Sequence, residues 1–99
     1  MKFAFLIMGN FDSRIDNTAF RNASAQMIGV ADICEAYTVA RKLYEEGIGC
    51  IELCGAFGPD GARRIIEATE NKIPIGYVTH LPEQDKVYQE VFQGKKTDL

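Results

Sequence analysis

The stretch DICEAYTVARKLYEEGIGCIELC, residues 32–54, decides the architecture. Asp32 stands at an N-cap position and Glu35 follows three residues later, an acidic variant of the capping box. Ile33, Ala36, Tyr37, Ala40, Leu43 and Tyr44 recur at helical spacing and make one apolar face. Gly47 can supply a left-handed stop. Ile48 to Cys54 then reads as a strand. A capped helix that runs through one short turn into an apolar strand is half of a βαβ unit, which calls for parallel strands on either side.

The flanks supply them. Phe3-Ala4-Phe5-Leu6-Ile7-Met8 is apolar on both alternating faces and predicts a central strand covered on both sides. Gly9 to Asn22 is polar, and Ile15, Ala19 and Phe20 within it have the spacing of a short covering helix. Ser24 to Val30 reads as the second strand, weakened by Gly29. Beyond Cys54, Gly55 to Gly61 reads as a loop with three glycines and a proline. Ala62, Ile65, Ile66 and Thr69 mark a second helix that Asn71 can end. Ile73 to Thr79 makes the fourth strand, with Pro74 near its start, where a missing donor matters little. Pro82 opens a last helix with Val87, Tyr88, Val91 and Phe92 inward and Gly94 as its stop.

The expectation is therefore one α/β domain over residues 1–94 with a frayed tail at 95–99. It holds a mainly parallel four-stranded sheet covered by helices. An open three-layer sheet and a half-barrel-like βα array both fit, the open sheet being preferred. A sheet this small has edges, and pairing with another copy would remove them, so a homodimer or higher homo-oligomer is expected.

Composition narrows the function classes. The 99 residues carry 11 basic and 14 acidic side chains, a net charge of -3, and neither half holds a basic surplus. A generic nucleic-acid or anionic-membrane binder needs one, so neither partner is expected. No stretch approaches the ~20 apolar residues of a membrane-spanning helix. The apolar start is too short for a secretory leader and lacks a small-residue cleavage pattern. Cys34, Cys50 and Cys54 are odd in number, and Cys50 and Cys54 lie in one strand roughly 13 Å apart, so neither a disulfide nor a shared metal joins them. Reduced thiols and a cytoplasmic location follow as the default.

In open parallel sheets ligands bind beyond the carboxyl ends of the strands, which turns topology into a residue set. The first strand delivers Met8, Gly9, Asn10 and Asp12; the third delivers Glu52, Cys54 and the loop with Gly55, Phe57, Gly58 and Gly61; the fourth delivers Tyr77, Thr79 and His80. Glu52, between Ile51 and Leu53, is either a general base or ligand-binding carboxylate, or a group paired at the wet end of its strand. Cys54 is either an activated nucleophile or a small core residue. His80, the one histidine, is an acid–base group or a hydrogen-bonding loop residue, and zinc is not expected from a single histidine. Arg63 and Arg64 in the first turn of the second helix, with Glu67 and Glu70 in its last, oppose the helix dipole. Either an arginine and the glycine amides hold an anion, or local pairs with Asp60 and Glu67 absorb the charge. The loop lacks the P-loop and GxGxxG spacings.

The segment Gly47-Ile48-Gly49-Cys50-Ile51-Glu52-Leu53-Cys54-Gly55-Ala56-Phe57-Gly58, followed by Ile73-Pro74-Ile75-Gly76-Tyr77-Val78-Thr79-His80, resembles a small bacterial family catalogued as a domain of unknown function. The resemblance covers most of the chain and implies a bacterial, soluble, cytoplasmic α/β protein. It brings no reaction, cofactor or catalytic residue. The βα pattern is also loosely similar to part of a (βα)-barrel enzyme, a likeness of fold only. Three functions stay open. The first is binding of a small anionic metabolite at the strand ends. The second is a lyase, isomerase or hydrolase using Glu52 and His80, with Cys54 as a further candidate. The third is an oligomeric structural protein without a ligand. No cofactor is implied.

Overall fold

The computed structural model describes residues 1–93. The tail expected at 95–99 and the stop at Gly94 lie outside the described residues. Five strands form one sheet in the order β2-β3-β1-β4-β5. They are β1 (Phe3–Met8), β2 (Asn17–Phe20), β3 (Ala25–Val30), β4 (Cys50–Leu53) and β5 (Ile75–Tyr77). All neighbours pair parallel except β2, which runs antiparallel to β3. Helix α1 (Ile33–Glu45) joins β3 to β4 and α2 (Gly58–Ala68) joins β4 to β5. After β5 the chain makes a 3-10 turn at Pro82–Gln84, α3 (Asp85–Tyr88) and a wider π-type turn at Gln89–Gln93. The expected mainly parallel α/β sheet is present, with one strand more than the sequence indicated.

Local chemistry sets the ends of α1. Asp32 Oδ1 accepts from the Glu35 amide, and Glu35 reaches back to the Ala31 amide, one residue before the usual partner in a capping box. Gly47 takes φ +92° and the Ile48 amide closes onto Leu43 O, the left-handed ending that the sequence predicts. Asn71 takes φ +54° after α2, with its amide on Ile66 O.

One face of the sheet carries the core. The register pairs Leu6 with Ile28 and with Leu53, so these side chains share a face. Ala4, Val30 and Ile51 join them, packed against Ala36, Ala40 and Leu43 of α1 and Ala62, Ile65 and Ala68 of α2. Topology explains why both helices are there. The chain steps β3→β4→β5 in one direction, and crossovers of one hand stepping the same way put their helices on the same face. The opposite step, β1→β3, would put a helix on the other face, but it contains the edge strand β2 instead.

That second face corrects two expectations. The short helix around Ile15–Phe20 is absent; Asn17–Phe20 is β2, with all four residues exposed. Its apolar side chains could not have driven a covering helix, since Ile15 and Phe20 point largely into solvent. The first strand is central but covered by helices on one side only. Its other side forms the row Thr18, Met27, Phe5, Glu52, Gly76 and the row Phe20, Ala25, Phe3, Cys50. Phe3, Met27 and Phe20 there are 37%, 46% and 64% exposed. Phe11 lies across Gly29, where a Cβ would stand 2.7 Å from its Cβ and Cγ. Gly29, read from the sequence as weakening β3, thus seats an aromatic ring.

The glycine-rich segment is a helix start rather than a loop. Gly55–Phe57 is a 3-10 turn and α2 begins at Gly58. Gly58 has φ +61° and ψ -175°, a region open essentially to glycine alone. Gly61 is fixed by packing: a Cβ would meet Ile33 Cδ1 and Phe57 Cβ, each at 3.1 Å. The last helix does not turn its apolar residues into a core either, since Val87, Tyr88, Val91 and Phe92 all stay exposed. No helix among the described residues is long and apolar enough to cross a membrane.

Candidate functional site

Adjacent strands whose connections leave in opposite directions open a crevice at their carboxyl ends. Here those strands are β1, which leads to β2 and β3 on one side, and β4, which leads to β5 on the other. A cleft of about 860 Å³ lies at that point. Ile7 and Met8 from β1, Cys54 to Ala56 after β4, and Tyr77 to His80 at and beyond the end of β5 form its floor and one wall. Asp85, Tyr88, Gln89, Phe92 and Gln93 of the C-terminal helical segment form the other wall.

Backbone bonds position the floor. The Cys54 amide donates to Leu6 O and the Val78 amide to Leu53 O, which extends the ladder one residue past β4 and β5. The Cys54 Sγ accepts the Met8 amide at 3.3 Å. Gly55 is close under β5, where a Cβ would stand 3.3 Å from Val78 O.

The far wall is organised around His80. Its Nε2 lies 2.7 Å from Asp85 Oδ1. Its ring stacks on Tyr88 with centroids 3.8 Å apart and planes 14° from parallel, and Tyr88 stacks in turn on Phe92 at 5.4 Å. Pro82 turns the chain between His80 and Asp85, so the imidazole meets the start of the helix that follows it. A carboxylate on one ring nitrogen fixes the tautomer and leaves the other nitrogen to act on a ligand.

The residues singled out in the sequence divide into two groups. Cys54, Gly55, Tyr77, Thr79 and His80 share the cleft. Asn10, Asp12, Glu52, Phe57, Gly58, Gly61, Arg63 and Arg64 do not line it. Glu52 sits mid-strand on the helix-free face, exposed, with its carboxylate lying over Gly76, where a Cβ would collide with Oε1. The solvated face removes the burial that singled it out. Asp12 accepts from the Arg14 amide, Nε and Nη2, and Arg14 holds its carboxyl down to about 2. Phe57 belongs to the core. Arg63 pairs with Asp60 at 2.7 Å and Arg64 with Glu67 at 2.6 Å, and Arg64 also lies over the Tyr37 ring. Local pairing therefore absorbs the reversed helix charges.

Sequence reasoning missed Asp85, Tyr88 and Phe92 as site residues. Tyr88 and Phe92 read as an inward helical face, and the signal that Asp85 and Tyr88 meet His80 was the Leu81-Pro82 turn, which separates His80 from Asp85 by five residues. Cys50, on the helix-free face, has its thiol pushed up by burial, with the Glu52 charge adding to the effect. Among the described residues no group of three or more His, Cys, Asp and Glu side chains stands close enough to hold a metal ion.

Fold and site together define a small α/β protein with helices on one sheet face and a cleft at its topological switch point. The chain belongs to the family of unknown function DUF6506, which it matches over residues 1–93. Neither a curated protein nor a solved structure matches it.

Proposed function

We propose that the protein binds a small molecule with a flat, largely apolar body and one polar group in the cleft between the β1, β4 and β5 ends and the C-terminal helical segment. The observation that carries this reading is the His80–Asp85–Tyr88 arrangement on the wall of an open, mostly apolar cleft at the switch point. Ligand sites in proteins are typically concave and apolar with a few convergent polar groups. Ile7, Met8, Val78 and Phe92 supply the apolar lining, and Tyr77, Thr79 and His80 supply the polar handles. An anionic group on the ligand would have His80 as its partner, because Arg63 and Arg64 stand outside the lining.

Ligand-observed NMR with aromatic carboxylates and their neutral amide counterparts tests this. Aromatic fragments should bind the native chain and lose binding in Tyr88→Ala, and any preference for the carboxylates should vanish in His80→Ala. A native chain that binds none of them, or binding indifferent to both substitutions, sinks the reading.

A second reading, a small enzyme of the lyase, isomerase or hydrolase type, is favoured by the 2.7 Å contact between Asp85 and His80 Nε2. Glu52, the general-base candidate of the sequence, lies outside the cleft; Asp85 orients the imidazole and Nδ1 of His80 is left to accept a proton. Cys54 stands in the same cleft as a candidate nucleophile. Iodoacetamide labelling of Cys54 that is fast near neutral pH and slowed in His80→Ala would favour the enzyme; labelling at the rate of an ordinary thiol would remove its nucleophile.

A further inference from the structure

Resting on the small-molecule reading of the cleft, we propose that its ligand is a planar ring carrying a hydrogen-bond donor, a hydroxyarene or an amino-heteroarene, and that the cleft discriminates against carboxylates.

Two side chains set the sign of the site. Among the described residues that line the cleft, Asp85 carries the one fixed charge, and no lysine or arginine is present. Its Oδ1 lies 2.7 Å from His80 Nε2. A carboxylate only accepts, so Nε2 holds the hydrogen and donates it. The imidazole is then the tautomer whose Nδ1 has a bare lone pair, and no hydrogen bond among the described residues occupies that nitrogen. An open acceptor on the wall of an apolar cleft calls for an O–H or N–H on the ligand, because an unpaired polar group is costly once water is displaced.

The other polar side chains leave that sign unchanged. The hydroxyls of Tyr77 and Thr79 and the amides of Gln89 and Gln93 can each donate or accept. Cys54 Sγ already accepts the Met8 amide. Arg63 and Arg64 are held by Asp60 and Glu67, outside the lining.

An anion suits neither protonation state of the pair. With a neutral imidazole, the pair carries the charge of Asp85, which repels a carboxylate. With an imidazolium, the charges of His80 and Asp85 cancel, and a bound carboxylate is again the uncompensated charge. The Asp85 side chain is 64% exposed and that of His80 31%, so water screens the repulsion and the discrimination is one of affinity rather than exclusion. A donor meets the neutral imidazole directly, and the Asp85 charge on the opposite nitrogen strengthens that bond. The stack of His80 on Tyr88, with Phe92 next to it, supplies aromatic surface for the rest of the ring.

The test titrates three quinolines into the full chain slightly above neutral pH, with a hydroxyl, a methoxyl or a carboxylate on the same ring carbon, and reads binding by ligand-observed NMR. The methoxyl compound keeps the ring and the oxygen but has no hydrogen to give. The hydroxyl compound should bind about fivefold or more tightly than the methoxyl compound and about tenfold more tightly than the carboxylate. His80→Phe keeps a flat ring against Tyr88 and should bring the hydroxyl and methoxyl compounds to within about twofold of each other. Asp85→Asn removes the charge and frees the tautomer, and should bring the carboxylate to within about threefold of the hydroxyl compound. Both variants should keep the native far-UV circular dichroism; if either unfolds, the comparison on the native chain still decides. A native chain that binds the methoxyl compound or the carboxylate as tightly as the hydroxyl compound overturns the proposal and leaves the cleft as a small-molecule site. So does a donor preference unchanged in folded His80→Phe, or a carboxylate penalty unchanged in folded Asp85→Asn. A native chain that binds none of the three overturns both.

Discussion

The ring of His80 lies nearly flat on Tyr88, with centroids 3.8 Å apart and planes inclined by 14°. This contact and the bond from His80 to Asp85 tie the C-terminal helical segment to the end of β5. The segment buries no residue of its own. Its stability is therefore local, and its opening need not involve the core.

Breaking that tie should loosen the segment without unfolding the protein. A stacked aromatic pair contributes about 0.5–1.5 kcal/mol beyond its buried area. Tyr88→Ala should accelerate amide exchange across residues 82–93 severalfold while the core strands β1 and β4 keep their protection. Hydrogen exchange read by mass spectrometry checks this. Equal acceleration in both regions would mean that the segment is part of the global folding unit.

Gly58 should be the most sensitive glycine to substitution on conformational grounds alone. Its φ of +61° and ψ of -175° lie where residues with a Cβ are strained, and apart from its chain neighbours and its own helix backbone no atom stands within 4 Å of the position a Cβ would take. Gly58→Ala should therefore cost about 1–3 kcal/mol without any clash against packed neighbours. Urea unfolding of Gly58→Ala and the native chain measures the difference. A loss below a few tenths of a kcal/mol would show that the 3-10 turn and α2 can rejoin through another backbone path.

What the sequence disclosed follows from how local each signal was. The ends of α1 were legible because Asp32, Glu35 and Gly47 act on backbone groups within four residues. The inward stripe of α1 was legible because Ile33, Ala36, Tyr37, Ala40 and Leu43 recur at helical spacing, and all five pack in or against the core. The meeting of Cys54 and His80 was legible because parallel strands deliver their carboxyl ends to one edge. The edge strand β2 was not, because a strand with no buried residue has no pattern to betray it. Glu52 misled for a related reason: apolar residues on both sides of β1 suggested two helix layers, and nothing local reveals that the β1→β3 connection lacks a helix. Asp85 and Tyr88 were hidden because their partner His80 lies across a turn, and helical spacing reports which residues share a face but not what that face meets.

Acid should weaken the fold through the loop that precedes β2. Glu35 accepts from Ser13 and from the Ala31 amide, and these bonds hold its carboxyl below its ordinary 4.5. Arg14 lowers Asp12 from 3.8 to about 2. A carboxyl whose folded value is depressed contributes stability that is present above its unfolded value and lost as pH falls through the folded one. The urea midpoint should therefore fall as pH drops from about 5 to about 2.5, first through Glu35 and then through Asp12. Glu35→Gln should start from a lower midpoint near neutral pH and lose less on acidification. Parallel pH profiles for the two proteins would remove Glu35 as the source.

The turn between β2 and β3 stores strain that one substitution can release. Arg21, Asn22 and Ala23 take φ of 56°, 58° and 64° in succession, all left-handed and none of them glycine. An L-residue in that region costs roughly 1–2 kcal/mol, least for asparagine, whose side chain can bond locally. Alanine has no such compensation, so Ala23→Gly relieves a real penalty, partly offset by the extra freedom glycine brings to the unfolded chain. The net gain should be about 0.5–1 kcal/mol. Asn22→Gly should gain less, and Ala23→Val should lose stability because a β-branched residue tolerates this region worst. Thermal unfolding of the three variants orders them. If Ala23→Gly is no more stable than the native chain, the hairpin holds its turn in a different conformation from the one that pairs Phe20 with Ala25.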